Sequence, residues 1–245
     1  MNAAEKPTSN RKEKGKTTSE EVVGPEMVIE LTPEWQAQYL AELRLERARI
    51  PRRFLGKTFD SFKTGSSAKR KAIFDAAKGW VNTFKLELND AQRELDKPFK
   101  DSGLLIQGVV GCGKTHLAVA ILQAVIRKGY SGLYYNMPDL LSDIRATYSN
   151  DSSVTESDLL EEINQPDLVV LDDLGAEVAR DWVNDRLYLI VNRRYESCKP
   201  VIVTTNLSLE ELTEKLGERT VSRLCEMCHA FAEFPAEDYR KKHMR

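Results

Sequence analysis

A phosphate-binding pattern, G-x-x-x-x-G-K-T, occupies residues 108–115 of this 245-residue chain. Its glycines allow the tight curl in which successive backbone N–H groups surround an anion. Lys114 can reach the β- and γ-phosphates of a nucleoside triphosphate, and the Thr115 hydroxyl can ligate Mg²⁺. The residues expected to bind phosphate or metal here are Gly108, Gly111, Cys112, Gly113, Lys114 and Thr115.

Two carboxylates end an apolar run at residues 167–173. Such a run predicts a strand buried on both faces, and ligands bind beyond the carboxyl ends of strands in open α/β sheets. We expect Asp172 to hold Mg²⁺ and Asp173 to polarise the attacking water. Glu177 stands four residues further on and is the alternative catalytic carboxylate. A strand-ending turn without chemistry is the competing interpretation of Asp172 and Asp173.

The elements around these residues must bring them together. Apolar runs predict strands at residues 104–107, 133–136, 167–173 and 201–206, the last ending at Asn206. Helices are expected at about residues 68–86, 115–128, 137–148 and 159–163. Alternation of short strands with helices predicts an α/β fold with a parallel sheet and helices on both faces.

The first hundred residues have a different character. Residues 1–31 are polar and without apolar periodicity, and we expect a disordered tail. Residues 32–50 predict a helix capped by Thr32, which must dock on its own domain or on a partner because it has no core of its own. Residues 51–102 predict a linker and a helix that pack on the core. Phenylalanines in the linker either pack or touch a base.

Composition narrows the class of protein. Charged residues make up 30 % of the chain, and the formal net charge is −2, so nucleic-acid binding would need a local basic patch. We find no apolar run of membrane-spanning length and no secretory signal, and predict a cytoplasmic protein without a membrane partner. Cys225 and Cys228 precede His229, but a structural zinc site needs four ligands. We interpret both cysteines as small buried residues.

These motifs resemble the AAA+ ATPases of the bacterial helicase-loader family, the DnaC/DnaI type, with the IstB transposition helpers related to them. The residues that carry the resemblance are Gly108–Thr115 with His116-Leu117-Ala118, Leu171–Gly175, Thr204-Thr205-Asn206, Gly217-Glu218-Arg219 through Arg223-Leu224, and Asp238-Tyr239-Arg240. The resemblance implies a five-stranded parallel sheet in a core of residues 103–245. It also implies slow hydrolysis of ATP with Mg²⁺.

The resemblance assigns further roles. Asn206 corresponds to the residue that hydrogen-bonds the γ-phosphate or the lytic water, although an Asn at a strand end is often only a turn former. Arg223 corresponds to an arginine finger that acts in trans and implies self-association, with Arg219 as the weaker candidate; an ordinary surface arginine is the alternative. His116 and Arg240 would contact the nucleotide. Arg145 and Tyr148 would contact single-stranded DNA, unless Tyr148 only packs.

The implied function is placement of the replicative helicase hexamer on single-stranded DNA, with residues 32–48 as a possible helicase-binding helix. Two alternatives stay open. One is a transposition helper that acts with a transposase. The other is a nucleotide-gated binding module with negligible turnover, which Asp173 favours because family members usually carry Glu there.

Overall fold

The computed structural model describes residues 32–85, 102–149, 153–176, 181–230 and 234–235. The tail at residues 1–31, the segment at 86–101, Glu177 and Arg240 lie outside this range, so the predictions made for them stay predictions. None of the helices in the described part of the chain has both the length and the apolarity needed to cross a membrane.

Five parallel strands form one sheet in the order β2-β3-β4-β1-β5. They are β1 (Gly103–Gln107), β2 (Gly132–Asn136), β3 (Leu168–Leu174), β4 (Val201–Thr205) and β5 (Cys228–Ala230). Because all five run the same way, their carboxyl ends meet at one edge of the sheet. The ends of β3, β4 and β1 are neighbours there, so the phosphate loop, the acidic pair and Asn206 lie at the same edge of the sheet.

Eight helices accompany these strands in the described residues. They are α1 (Pro33–Arg47), α2 (Ala68–Thr83), α3 (Lys114–Arg127), α4 (Met137–Ala146), α5 (Glu156–Asn164), α6 (Asp181–Glu196), α7 (Leu209–Leu216) and α8 (Glu218–Met227). α5 begins three residues earlier than the apolar pattern predicts, because Thr155 and Asp158 form a capping box.

Two apolar cores, one on each face of the sheet, confirm the predicted layers. Alternate residues of the strands point to opposite faces, so Leu104 and Ile106 join the core that includes α2 and α3. Leu105 joins the other core, with α4 to α8. The linker phenylalanines Phe54, Phe59 and Phe62 pack against the first core. Of the two predicted roles, packing is the one that their contacts support.

The segment after α1 follows the edge strand β2. The Tyr134 N–H donates to the Ala48 carbonyl over 2.8 Å, and the Arg49 guanidinium lies 4.9 Å from the Tyr135 ring centroid. Arg49 also bridges Asp143 and Glu162. These contacts hold the segment after α1 against β2, the edge strand of the sheet.

The fifth strand completes the five-stranded sheet that the family resemblance implies, although the apolar pattern located only four strands, the last at residues 201–206. Cys228, the first residue of β5, pairs with Gly103 directly after α8. A strand of three residues is too short to show periodicity, so the apolar pattern could not reveal it. Cys228 is buried as expected, but Cys225 is exposed, because the buried face of α8 is formed by Val221, Leu224 and Met227.

Candidate functional site

The phosphate loop connects β1 to α3. Gly108 has no room for a side chain, since a Cβ there would lie 2.8 Å from the Phe234 Cβ. Gly113 precedes the first residue of α3 with φ 108°, a conformation that side-chain-bearing residues rarely adopt. The loop therefore enters a helix N-terminus, where unpaired N–H groups and the helix dipole favour an anion.

Lys114 begins α3 and is only 7 % exposed. Its ammonium group donates to the carbonyl oxygens of Gly108 at 2.8 Å and Val109 at 3.1 Å, and also to Oδ1 of Asn206. A buried ammonium needs such partners, because burying an unsolvated charge is costly. These bonds hold the cation inside the curl of the loop, where it can meet phosphate oxygens.

Asp172 is the most heavily hydrogen-bonded carboxylate of this edge. It accepts from the hydroxyls of Thr204 at 2.6 Å, Tyr134 at 2.7 Å and Thr115 at 3.0 Å, and it is 3 % exposed. A carboxylate and a threonine hydroxyl side by side are hard oxygen ligands of the kind that Mg²⁺ prefers. The donor set at Thr115 and Asp172 therefore fits the ion that the sequence predicts.

Asp173 leaves the regular ladder of the sheet. Its φ is 62°, and the pairing of β3 with β4 shifts register between Leu171 and Leu174. The Asp173 N–H donates to Oγ1 of Thr204 at 2.9 Å, and its Oδ1 accepts from Nδ2 of Asn206 at 3.2 Å. This turn separates the two acids: Asp172 points into the buried hydroxyl cluster and Asp173 towards Asn206.

Asn206 joins the two halves of the site. Its carbonyl oxygen accepts from Lys114 and its amide donates to Asp173, so one side chain spans from the phosphate loop to the second acid. β4 lies between β3 and β1, which places the residue after its end between the other two motifs. An amide suits this position because it offers an acceptor to the cation and a donor to the carboxylate.

Other predicted residues lie apart from this cluster. Nε2 of His116 is 3.0 Å from the Thr58 carbonyl oxygen and 3.1 Å from Oγ of Ser61, so the ring faces the linker before α2. The Arg223 guanidinium lies 4.9 Å from the Tyr188 ring centroid of its own α6. None of the described contacts joins Arg223 to the phosphate loop of the same chain.

Arg145 and Tyr148 lie at the end of α4. The Arg145 guanidinium is 4.6 Å from the Trp182 ring centroid. The Tyr148 hydroxyl donates to Glu156 at 3.0 Å, while the residue as a whole is 53 % exposed. The predicted pair thus occupies one exposed area formed by α4, α5 and α6.

Sequence reasoning missed three residues of the site: Thr204, Tyr134 and Arg70. Thr204 stands two residues before Asn206, so strand alternation could have placed both on one face. Tyr134 reads as a core residue of β2, and nothing in its neighbours indicates that its hydroxyl reaches β3. Arg70 lies on a helix far from the motifs in sequence, yet donates to the Cys112 carbonyl.

Comparisons with known proteins match the part of the chain that carries this site. The model of the IstB-like ATP binding protein family matches residues 98–245. The replicative helicase loader DnaC of Escherichia coli K12 is 33 % identical over 123 residues, which are 50 % of this chain and 50 % of that protein. The chain thus spans about half the length of the curated relatives that it matches first.

Solved structures resemble the fold. The crystal structure of the DnaC helicase loader superposes with a TM-score of 0.63 at 27 % identity, over 76 % of this chain and 100 % of the other. AMPPCP-bound DnaA from Aquifex aeolicus has a TM-score of 0.58 at 19 % identity, over 78 % of this chain and 53 % of the other. These neighbours place the described core in the AAA+ class of P-loop folds.

Proposed function

The chain belongs to the family of IstB-like ATP-binding proteins, and from that premise we propose that it is a slow ATPase of the helicase-loader type. The observation that carries the proposal is the continuous network from Lys114 through Asn206 to Asp173, beside the Thr115–Asp172 pair. This network offers a group for each part of phosphoryl transfer to water: a cation for the phosphates, oxygen ligands for a metal ion and a carboxylate that can orient water.

Each residue has a separate task in this proposal. Lys114 and the N–H groups of the loop bind and orient the phosphates, so the reacting phosphorus is fixed before chemistry begins. Thr115 and Asp172 would hold Mg²⁺, and the ion would supply positive charge beside the phosphate oxygens. Asp173 orients the attacking water and accepts its proton, while Asn206 fixes the direction of the Asp173 carboxylate.

We assign the replicative DNA helicase as the protein partner, because curated relatives carry the name of its loader. The exposed aromatic surface of α1 is the proposed contact. Trp35 and Tyr39 are each 48 % exposed and stack at 5.3 Å. Exposed stacked aromatics are typical anchors of interfaces. The expected cellular site of this activity is the cytoplasm.

Point variants test this contact better than truncation, because Ala48 and Ile50 belong to the core. Replacing Trp35 and Tyr39 by Ser should weaken helicase binding at least tenfold in a pull-down with purified helicase. Gln38→Ala with Glu42→Ala, two exposed polar residues of the same helix, is the matched control. Unchanged affinity of the aromatic variant would remove α1 from the interface.

Single-stranded DNA is the proposed nucleic-acid ligand, bound at the area of Arg145 and Tyr148. An exposed aromatic ring offers a stacking face and a nearby arginine offers a phosphate contact, together typical of sequence-tolerant binding. Tyr148→Ala should lower affinity for an oligonucleotide about tenfold. Tyr39→Ala, which alters an equally exposed tyrosine elsewhere, should leave that affinity unchanged.

The decisive experiment on function uses native lysate. Tagged wild type and Lys114→Ala are incubated with ATP or ADP, and captured proteins are identified. A loader is supported if the wild type captures the replicative helicase to an extent that depends on ATP. This dependence on ATP should be lost in Lys114→Ala. Capture of a transposase instead would establish the transposition helper, which the family match favours as second candidate.

The third candidate is a nucleotide-gated binding module with negligible turnover. Its supporting observation is Asp173 itself, whose side chain is one methylene shorter than Glu and is engaged by Asn206. Single-turnover hydrolysis of ATP with and without single-stranded DNA separates it from an ATPase. Hydrolysis no faster than the uncatalysed rate in both conditions would establish the module.

A further inference from the structure

Arg70 is a buried cation directly behind the phosphate loop. It lies in the first turn of α2, outside every motif of the sequence, and is 2 % exposed. Its Nη2 donates to the carbonyl oxygen of Cys112. A Cβ added to Gly113 would lie 3.2 Å from the same nitrogen, so the guanidinium touches the loop at the Cys112–Gly113 peptide.

Two aromatic rings hold the guanidinium in place. Its central carbon lies 5.7 Å from the centroid of Phe62 and 5.8 Å from the centroid of Phe234. Phe62 belongs to the linker before α2, and the Phe234 N–H donates to Gln107 at the end of β1. The position of Arg70 is therefore set by elements on both sides of the loop, which limits its rotamer freedom.

The contact of Arg70 with the Cys112 carbonyl also determines the direction of the Gly113 N–H. In a trans peptide the carbonyl oxygen and the following N–H lie in one plane and point in opposite directions. A donor that holds the Cys112 oxygen on the Arg70 side therefore turns the Gly113 N–H to the other side. The positive φ of Gly113 lets the chain continue into α3 from that orientation.

We propose that Arg70 is a positioning residue for nucleotide binding: it fixes the Cys112–Gly113 peptide with the Gly113 N–H directed at the phosphates. As a fixed cation behind the loop, it also adds to the positive potential that Lys114 provides from within the loop. The low dielectric of the buried surroundings lets its charge act across the loop without touching the ligand. The inference rests on the proposed binding of ATP and deepens it.

Arg70→Met tests the proposal, because methionine keeps an unbranched side chain between the aromatic rings while it removes charge and donors. A hydrogen bond to a charged group is typically worth a factor of ten to a hundred in affinity. We expect the dissociation constants of ADP and of ATP to rise about 10- to 100-fold, by similar factors, since both carry the β-phosphate. Arg70→Lys, which keeps the charge and one donor, should recover part of the loss.

Lys71→Met is the matched control. Lys71 is the next residue of α2 and is exposed, so this variant removes the same charge from the same helix without touching the loop. Its nucleotide affinity should stay within about twofold of the wild type. A ¹⁵N–¹H spectrum supplies a second measurement, because ADP should shift the Gly113 amide signal strongly in the wild type and weakly in Arg70→Met.

Melting curves without nucleotide establish that each variant is folded. If folded Arg70→Met binds ADP as tightly as the wild type, the inference is wrong. If Arg70→Met does not fold, Arg70→Lys decides: wild-type affinity and an unshifted Gly113 amide would overturn the proposal. Failure of the wild type itself to bind ADP or ATP would instead overturn the proposed function.

Discussion

The phenolic hydroxyl of Tyr134 donates to the carboxylate of Asp172 across two neighbouring strands, over 2.7 Å. Burial and, after it, the charge of Asp172 raise the pKa of Tyr134, so the phenol stays protonated over the physiological pH range. The hydroxyl thus works as a permanent donor. Together with Thr204 it fixes the carboxylate that the proposed metal site requires.

Tyr134→Phe removes this donor and little else. Loss of a residue that orients a metal ligand typically costs about 10- to 100-fold in metal affinity. We expect the Mg²⁺ concentration for half-maximal nucleotide binding to rise about tenfold, measured by titration with a fluorescent nucleotide. Tyr135→Phe is the control, because the buried Tyr135 hydroxyl has no hydrogen-bond partner among the described residues. Equal effects of the two variants would contradict the assignment.

Separate variants of the acidic pair should divide binding from turnover. Asp172→Asn replaces an acceptor of three hydroxyl donors and should weaken Mg²⁺-dependent binding of ATP. Asp173→Asn should spare binding and lower single-turnover hydrolysis about 10²-fold, the typical contribution of a general base. Equal losses of ATP affinity in both would argue against separate roles. Unchanged turnover in Asp173→Asn would transfer the base to Glu177.

Arg223→Ala tests the proposed assembly. The variant should bind ATP almost as well as the wild type yet hydrolyse it more slowly, because a finger acts on the nucleotide of a neighbouring subunit. Mixing it with Lys114→Ala, in the presence of helicase or DNA, should restore ATPase activity that neither variant has alone. Arg219→Ala, at an exposed arginine one turn earlier on α8 and the weaker finger candidate, is the comparison variant and should lower turnover less than Arg223→Ala. Absence of complementation would assign Arg223 a structural role.

Arg194→Ala should destabilise the fold strongly. Arg194 is fully buried and donates to five carbonyl oxygens, from Ile163, Asn164, Pro166, Asp167 and Pro200. Its removal leaves buried acceptors without donors and opens a cavity, at a cost of about 3 kcal/mol or more. Urea unfolding measures the change. Arg193→Ala, next to it and partly exposed, should cost less than about 1 kcal/mol.

His116 predicts a pH dependence of stability. Burial lowers its pKa from the ordinary 6.5, and the nearby cations Lys57 and Arg70 add to this, while the Thr58 carbonyl opposes it. Below about pH 6.5 the unfolded chain takes up a proton that the folded chain resists, so stability falls with falling pH. The unfolding free energy of the wild type minus that of His116→Gln should therefore decrease as the pH falls from about 7.5 to about 5.5. A constant difference would contradict the lowered pKa.

The layers of the fold could be predicted because they depend on patterns local in sequence. The apolar runs before Gly108, at 168–171 and at 201–203 mark strands buried on both faces, and their polar ends meet because the strands are parallel. The family resemblance implied a fifth strand, but the apolar pattern could not locate it, because β5 has only three residues and is defined by its pairing with β1. The early start of α5 has a different, local cause, the capping box of Thr155 and Asp158, which apolar periodicity does not register.

Some residues of the candidate site could likewise be predicted from local sequence, whereas others could not. Asp172 and Asp173 lie near the carboxyl end of β3, and Lys114, Thr115 and Asn206 follow the ends of β1 and β4, so sequence position largely fixes their spatial position. Tyr134 and Arg70 reach the site through side chains from β2 and α2, and such contacts depend on how elements pack. Arg223 is intermediate: the family motif singles it out, but its place on α8 and its stacking on Tyr188 and Tyr195 could not be predicted from the apolar pattern.

No loop separates α8 from β5, since Cys228, the residue that caps the helix, is also the first residue of the strand. The helix that carries Arg223 is therefore joined directly to the strand beside β1, at Cys228, which pairs with Gly103. A connecting loop could change conformation when α8 rotates, whereas α8 and β5 have no residues between them that could do so. Strain applied at Arg223 would pass to the strand that holds the phosphate loop.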